Sequence, residues 1–276
     1  MKRFIAGLVV CAAVLVAPAA PASAAVDPGK ALKARFVAGT GVKVSTTLKT
    51  TLLGEPWVTA REVGTVAFAR NGVVASDFKD KMQFGPIINQ LPEESAEQLK
   101  ALQGSGRIIT IGKLTYLSGA RYAELLPEGK EWIRLNSGAA GAGRQLISSF
   151  EPRTLTALVK SASSVRGGVV RGSVSSTALA KISPSFKGLF GAGKGPDGKA
   201  FKVAYTLWLD NRGLVKRITS TVTWKIGASA LVMSSDSRLS GWGGKVKITA
   251  PPSKLVVDAK DLDGEVPDAG PVPIPL

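Results

Sequence analysis

Alternating apolar and polar residues recur along most of the chain and predict a protein built mainly from β-strands. Residues 42–53 alternate in this way, which is typical of a strand with one buried and one solvated face. Residues 63–70 and 73–82 flank Asn71 and Gly72, a pair that favours a two-residue hairpin turn because both tolerate positive φ. Further strands are predicted at residues 107–112, 113–118, 120–125, 131–136, 168–177, 229–239 and 245–250.

The clearest hairpin runs from Phe201 to Trp224. Apolar residues share one face of each arm, and the polar residues 210–213 form the turn between them. Pro251 and Pro252 end the last predicted strand, because proline cannot donate a hydrogen bond to a neighbouring strand.

Four short helices are predicted, at residues 27–37, 92–103, 152–162 and 184–190. Asp27 caps the first of them, and Pro28 suits its first turn. In the third, Leu155, Leu158 and Val159 lie on one stripe, so this helix can cover an apolar sheet face. A long antiparallel sheet with a few amphipathic helices on one side is an α+β architecture.

Residues 1–24 have the three parts of a secretory signal peptide. Two basic residues precede an apolar run, and small residues end in a cleavage site near Ala24. We therefore expect a protein secreted into the extracytoplasmic cell envelope. A lipid anchor at Cys11 is not expected, because the β-branched Val10 stands where a lipoprotein signal favours a small residue.

The remaining chain divides into one domain and a tail. Residues 25–257 are expected to form a single domain. Residues 258–276 combine five acidic residues with four prolines and are expected to be a disordered tail.

The sequence is strongly basic, with 36 Lys and Arg against 20 Asp and Glu. Residues 25–257 alone hold 33 basic and 15 acidic residues, a net charge of +18. Outside the cell, this charge would attract an anionic membrane surface or an anionic cell-wall polymer, with a strength that falls as salt rises. The alternative is that the charge only maintains solubility. Nucleic acid is not an expected partner, because aromatic residues do not alternate with the basic ones and the protein is expected to be exported.

The composition argues against an enzyme. The chain has no His, which excludes Ser/His/Asp and Cys/His catalysis and imidazole metal ligands, and its single Cys excludes a thiolate cluster. Gly188, Gly193 and Lys194 approach a phosphate-binding loop, but Gly195 replaces the Ser or Thr that binds magnesium. We predict no catalytic residue, no metal site and no cofactor.

Two further spacings resemble catalytic pairs but have simpler interpretations. Ser76 and Lys79 have the spacing of a serine acylase nucleophile and its lysine, yet they fall in a predicted strand, where side chains three apart face opposite ways. Asp77 and Asp80, a conceivable carboxylate pair, are expected to be solvated charges.

Several segments together resemble a known family. They are an N-terminal helix leading into residues 44–52, the segments 114–116 and 126–132, the helix opening 152–158, residues 208–214 and the closing segment 248–252. In these the sequence is similar to the LppX/LprA/LprF/LprG lipoproteins of actinobacterial envelopes, a branch of the LolA-like lipid carrier superfamily. The usual lipidated cysteine of that family is missing here.

The resemblance implies a fold and a function. The fold is a strongly curved antiparallel sheet, a half-barrel, with a few helices packed in its concave face and an apolar cavity between them. In that family the cavity holds an acylated lipid or glycolipid and serves lipid carriage across the envelope. Exposing an acyl chain to water costs a free energy of roughly 0.8 kcal/mol per methylene, which is about 12 kcal/mol for a sixteen-carbon chain. The acyl chain must thus be enclosed while it is carried. A carrier therefore needs apolar volume rather than catalytic groups.

The candidate lining of this cavity is the set of apolar residues on the predicted strand faces. These residues are Val44, Leu48, Val66, Phe68, Leu114, Tyr116, Tyr205, Leu207, Ile218 and Val222. Alternation does not distinguish a hollow interior from a filled one, so each of them is also a candidate for plain core.

We predict a noncatalytic, exported lipid-binding or lipid-carrier protein of the cell envelope. The alternative is an envelope protein-interaction or sensor module of similar fold, which binds a membrane regulator or an anionic wall polymer.

Overall fold

The structure is a computed structural model that describes residues 27–136, 143–195, 197–226, 229–264 and 266. The predicted signal peptide, with Cys11, lies outside the described residues, as do residue 265 and residues 267–276 of the predicted tail. The predicted α+β class is confirmed: the described residues form a mostly antiparallel sheet with several helices. Among these residues, no helix is both long enough and apolar enough to cross a membrane.

A single sheet contains all the strands that the structure describes. Their bounds are β1 Thr40–Leu52, β2 Glu55–Ala69, β3 Gly72–Phe84, β4 Gly104–Ile111, β5 Leu114–Ser118, β6 Trp132–Leu135, β7 Ser164–Arg166, β8 Val169–Ser175, β9 Lys202–Leu209, β10 Val215–Ile226, β11 Ser229–Lys245 and β12 Val256–Asp258. The order across the sheet is β12-β6-β5-β4-β3-β2-β1-β11-β10-β9-β8-β7. Neighbours are antiparallel except β12 and β6, which are parallel.

The sheet is open, with β12 and β7 as its two edges. It is not strongly curled, which corrects the strong half-barrel curvature that the family resemblance implies. No hydrogen-bonded ladder joins the two edges in the described residues, so strand pairing does not force closure.

The helices are short. Their bounds are α1 Pro28–Lys33, α2 Glu93–Ala101, α3 Pro152–Lys160, α4 Ser176–Ile182 and α5 Pro184–Phe190, with 3₁₀ turns at Pro86–Gln90, Ala120–Leu125, Ser253–Leu255 and Ala259–Asp261. The predicted cap of α1 is confirmed, because Asp27 Oδ1 accepts a hydrogen bond from Gly29 N at 2.8 Å.

At three places the alternating pattern predicted a strand over residues where the structure does not have one. Residues 120–125 form a 3₁₀ turn and not a strand, because Gly119 takes a φ of 108° and Tyr122 N donates to the Gly119 carbonyl at 3.0 Å. Residues 245–250 do not form a separate strand. Instead β11 extends to Lys245, and residues 246–250 have no regular secondary structure. The strand predicted at residues 168–177 ends at Ser175, and residues 176–182 form α4, which was not predicted.

One face of the sheet, here called the inner face, carries the main core. Alternate residues of β1–β3 and β8–β11 pack there against apolar residues of α1, α3, α4 and α5. Residues 143–151, the crossing segment, lie in the same core, where Leu146, Ile147 and Phe150 are buried. The crossing segment therefore occupies part of the space in which the family resemblance implies a cavity.

The crossing segment has no regular secondary structure, so its buried backbone groups need other partners. Arg144 N donates to Glu62 Oε2 at 2.8 Å, and Leu146 N donates to Ser235 Oγ at 3.4 Å. Side chains of the sheet thus provide the hydrogen bonds that a neighbouring strand would otherwise supply.

The first residues of the predicted tail are ordered. Asp258 ends β12 and accepts hydrogen bonds from Arg134 at 2.6 and 2.7 Å, and Leu262 packs against buried Leu117 and Ile133. Pairing with β6 therefore holds the start of the predicted tail against the sheet, while the domain boundary at residue 257 and the disorder of the rest of the tail stay predictions.

Candidate functional site: a basic cleft beside the sheet

An open cleft of about 1310 Å³ lies where α1, α4 and α5 meet the β2–β3 turn and the crossing segment. We call it the basic cleft. Its apolar lining includes Phe36, Val73, Phe150, Pro152, Ala180 and Ile182, and its charged lining is Lys33, Arg70, Arg153, Lys181, Lys187 and Glu151. The cleft therefore combines an apolar floor with five cations and one carboxylate.

Phe36 and Phe150 line the floor of the basic cleft, and the rings of Phe68 and Trp242 pack against them from behind. The ring of Phe68 lies 5.5 Å from that of Phe36 and 6.1 Å from that of Phe150, measured between centroids. Trp242 stacks on Phe68 at 5.9 Å with an interplanar angle of 14°. Since interlocked rings resist displacement, the floor is a preformed apolar surface.

The carboxylate of Glu151 is engaged in structure. Its Oε1 accepts a hydrogen bond from Ser185 N, and its Oε2 accepts one from Thr154 Oγ1, both at 2.8 Å. These bonds join the start of α3 to the start of α5. Both donors are neutral, so the charge of Glu151 still offsets one of the five cations, and the lining keeps four net positive charges.

Asp27 fixes the helices on the other side of the cleft. Its Oδ1 accepts a hydrogen bond from Thr156 Oγ1 at 2.7 Å, which joins α1 to α3. Burial acts to raise the pKa of Asp27, but hydrogen bonds from Thr156 and from backbone amides hold it below its ordinary value. A smaller cleft of about 330 Å³ lies between these two helices and shares Lys33, Pro152 and Arg153 with the basic cleft.

Close contact between α1 and α3 depends on Gly29. A Cβ atom at this position would lie 2.3 Å from the Pro152 carbonyl oxygen and 2.2 Å from Thr156 Oγ1. We expect Gly29→Ala to lower the free energy of unfolding by about 1–3 kcal/mol, because the helices must separate to admit the methyl group. Urea-induced unfolding measures the change.

The matched control is Gly188→Ala, in α5, where a Cβ atom would meet no atom within 4 Å. Alanine is favoured over glycine in a helix by roughly 0.5–1 kcal/mol, so this substitution should leave stability unchanged or raise it. An equal loss in both variants would contradict the role given to Gly29.

A tyrosine of the sheet positions α3. Tyr205 Oη donates to the Leu158 carbonyl oxygen at 2.6 Å, and burial raises the pKa of Tyr205 despite its hydrogen bond with Ser161. Leu158 is in the last turns of α3, so this bond ties the helix to β9.

The ten residues predicted as cavity lining lie on both faces of the sheet. Eight are in the inner core, namely Val44, Leu48, Val66, Phe68, Tyr205, Leu207, Ile218 and Val222. Leu114 and Tyr116 lie on the opposite face, covered by Ile248 and Leu255. None of the ten lines the two clefts described here, although Phe68 backs the floor of the basic cleft. Their assignment to a lipid cavity stays a prediction.

Sequence reasoning missed the charged residues of the basic cleft. Lys33, Arg70, Arg153, Lys181 and Lys187 come from four separate parts of the chain, and no motif joins them. The signal that was available is the spacing of Thr177, Ala180 and Lys181, which places them on one face of α4, but α4 itself was not predicted.

A buried charge cluster joins the crossing segment to the sheet. Glu62 of β2 lies opposite Asp80 of β3 on the inner face. Asp80 Oδ2 accepts hydrogen bonds from Arg121 Nη2 at 3.0 Å and Arg144 Nη2 at 2.8 Å, and the side chains of these three residues are at most 5% exposed. The expectation that Asp80 is solvated is therefore wrong, because the crossing segment covers it. Asp77 points to the other face, where it pairs with Arg107.

Burial in this cluster alters the proton affinity of Glu62. Burial raises the pKa of Glu62 from 4.5 to about 7, and the hydrogen bond from Arg144 N and the charge of Arg144 lower it by less. Glu62 thus titrates near neutral pH at the point where the crossing segment meets the sheet.

No family model matches the sequence, and no curated protein matches it. Among solved structures, a LolA superfamily protein from Nitrosomonas europaea is similar at 10% identity and a TM-score of 0.25, over 84% of this chain and 97% of the other. A porin-like protein from Bacteroides uniformis has 8% identity and a TM-score of 0.26, over 72% and 95%. The MucA/MucB complex of Pseudomonas aeruginosa has 10% identity and a TM-score of 0.14, over 78% and 94%. These similarities are distant, and no family membership follows from them.

Proposed function

We propose that this protein is a noncatalytic, exported lipid-binding or lipid-carrier protein of the cell envelope, and that the basic cleft holds an acylated lipid with an anionic headgroup. The observation that supports the proposal is the pairing of an apolar aromatic floor with five cations in one cleft. An amphiphile with a negative headgroup has the complementary pattern.

The size of the basic cleft suits a large amphiphile. Its volume of about 1310 Å³ exceeds the roughly 300–1,000 Å³ that is typical of sites for small ligands. Each methylene that leaves water for the floor contributes about 0.8 kcal/mol, and each nearby Lys or Arg adds about 1 kcal/mol of attraction to an anionic headgroup. Acyl chain and headgroup together therefore supply the binding free energy without a catalytic group.

Lipid that copurifies with the protein is the direct test. The full chain, purified from its native host and extracted with organic solvent, is expected to release acylated anionic lipid at close to one molecule per protein, as measured by mass spectrometry. Absence of acyl lipid from such extracts would reject the proposal. Crosslinking in cells that captured a membrane regulator equally with lipid-loaded and delipidated protein would instead favour an interaction module.

Charge reversal at two lysines of the basic cleft tests whether the cleft binds an anionic headgroup. Lys181→Glu combined with Lys187→Glu is expected to weaken binding of a fluorescent phosphatidylglycerol by at least roughly tenfold, since two attractive charges are replaced by repulsive ones. A fluorescence titration at low salt measures the dissociation constant, and the difference should shrink in 1 M salt, where screening acts over roughly 3 Å.

The control carries the same change in net charge outside the cleft. Lys194→Glu with Lys199→Glu alters two exposed lysines that do not line the basic cleft. If the control weakened binding as much as the Lys181→Glu, Lys187→Glu variant, overall charge and not the cleft would determine affinity.

A further inference from the structure

The outer face of the sheet carries a second concentration of positive charge, unrelated to the basic cleft. Side chains of β1, β2, β3 and β11 that alternate away from the inner core point to this face. We define the outer basic face as Lys43, Lys49, Arg61, Lys79, Lys81 and Arg238, all of which are exposed.

Strand register brings like charges directly opposite each other. Arg61 pairs with Lys81 across β2 and β3, and Lys79 pairs with Arg107 across β3 and β4. Arg238 pairs with Arg217 across β11 and β10. The register row from Arg217 to Arg107 crosses six strands, over roughly 24 Å at about 4.8 Å per strand. It has two cations at each end, with Ser45 and Val63 between them.

The acids on this face do not neutralise the outer basic face. Asp77 is held by Arg107 at 2.8 and 2.9 Å, and Asp236 is held by Arg217 at 2.6 and 2.8 Å. In the part of the chain that the structure describes, no salt bridge includes any of the six residues of the outer basic face. Acids already pair with Arg107 and Arg217, so among the described residues Arg61 and Lys81 are the opposed cations of which neither makes a salt bridge. Like charges directly opposite are destabilising, and this pair therefore weakens the free protein. Bound negative charge would offset that cost.

We infer that the outer basic face binds a flexible linear polymer of the cell wall whose repeating unit carries a phosphodiester. Neighbouring strands of a sheet rotate by roughly 20–25°, which adds up to about 100° across the row. A rigid plane such as a bilayer cannot touch all of these cations at once, whereas a flexible chain can follow the twist. The apolar side chain exposed among them is Val63, which is too short to anchor in a bilayer.

Nucleic acid fits this face less well than a wall polymer. Binding of single strands relies on exposed aromatic rings for base stacking. Trp208, beside the outer basic face, is covered by the Arg217 guanidinium at 4.7 Å from the ring centroid. The face therefore offers charge without stacking, which matches a polyanion that has no bases.

The inference rests on the export that the proposed function includes but not on lipid binding, because the basic cleft opens beside the inner face and shares no residue with the outer basic face. The test compares two triple variants of the full chain. Arg61→Gln, Lys79→Gln and Lys81→Gln neutralise the outer basic face, and the control, Lys100→Gln, Lys113→Gln and Lys194→Gln, removes the same charge from exposed positions elsewhere.

Binding of poly(glycerol phosphate) is measured by fluorescence anisotropy between about 50 and 200 mM salt. The outer-face variant is expected to bind at least roughly tenfold more weakly at the upper salt concentration, and its slope of log affinity against log salt should fall by about 2. The control should keep most of the affinity of the unmodified protein. Equal losses in both variants would overturn the inference, because net charge alone would then explain binding.

Two further probes distinguish other polyanions. A single-stranded oligonucleotide of equal charge and vesicles rich in phosphatidylglycerol are titrated against the same three proteins. Tighter binding of either probe than of poly(glycerol phosphate), lost in the outer-face variant only, would overturn the assignment to a wall polymer. Weaker binding of both would support it.

Discussion

Asp80→Ala is expected to lower the free energy of unfolding by about 3–5 kcal/mol, since the substitution leaves two buried guanidinium groups without their shared carboxylate. Arg121 and Arg144 are 4% and 5% exposed, so water cannot replace the lost partner. Because Arg144 belongs to the crossing segment, the loss should also loosen the chain that covers the inner face. Urea-induced unfolding at neutral pH measures the effect.

Asp77→Ala is the matched control, because Asp77 lies three residues away on the same strand but faces the other side. Its ion pair with Arg107 is partly exposed, since the side chains of Asp77 and Arg107 are 27% and 42% exposed. Such pairs contribute about 1 kcal/mol or less to stability. Similar losses in both variants would show that burial by the crossing segment does not distinguish the two carboxylates.

Local patterns predicted the parts of the fold that depend on neighbouring residues. The hairpin from Phe201 to Trp224 is confirmed as β9 and β10. Its turn is fixed within a few residues, since Asp210 Oδ1 accepts from Arg212 N at 2.9 Å and from Leu214 N at 2.8 Å. All the residues that determine such a turn lie within a short stretch of the chain, so the turn can be predicted from the sequence.

Parts of the fold that depend on distant residues could not be predicted. The crossing segment has no apolar period, and its burial depends on Glu62 and Ser235, which lie far away in the sequence. Asp80 shows the same limit. Its strand was predicted, but whether a carboxylate on a strand meets water or buried arginines depends on which chain covers that face.

The faces of β4, β5 and β6 explain why the candidate site was only partly predictable. Tyr116 and Leu117 are neighbours in β5 and are both buried, one against Trp132 and the other against Ile133. Where both faces of a strand are covered, alternation does not mark the inner one. The cations of the basic cleft could not be predicted for a related reason. Surface charges have no periodic pattern in the sequence, so their meeting in one cleft depends on how the helices pack.

Glu62→Gln is expected to change the pH dependence of stability. The pKa of Glu62 is about 7 in the folded protein, against 4.5 as its ordinary value, so the folded state binds more protons than the unfolded state between these values. The stability contributed by this group is therefore present below pH 4.5 and is lost as pH rises to 7. The loss amounts to about 3 kcal/mol, at roughly 1.4 kcal/mol per pH unit.

Glutamine cannot ionise, but its oxygen can still accept the hydrogen bond from Arg144 N. We therefore expect the difference in unfolding free energy between Glu62→Gln and the unmodified protein to be near zero at pH 4.5 and to favour the variant by about 3 kcal/mol at pH 8. Urea-induced unfolding across this range gives the difference directly, with Glu97→Gln, an exposed carboxylate on α2, as the control. A difference that stayed constant with pH would mean that Glu62 ionises in the folded protein as it does in the unfolded chain. The crossing segment would then not keep water from this carboxylate.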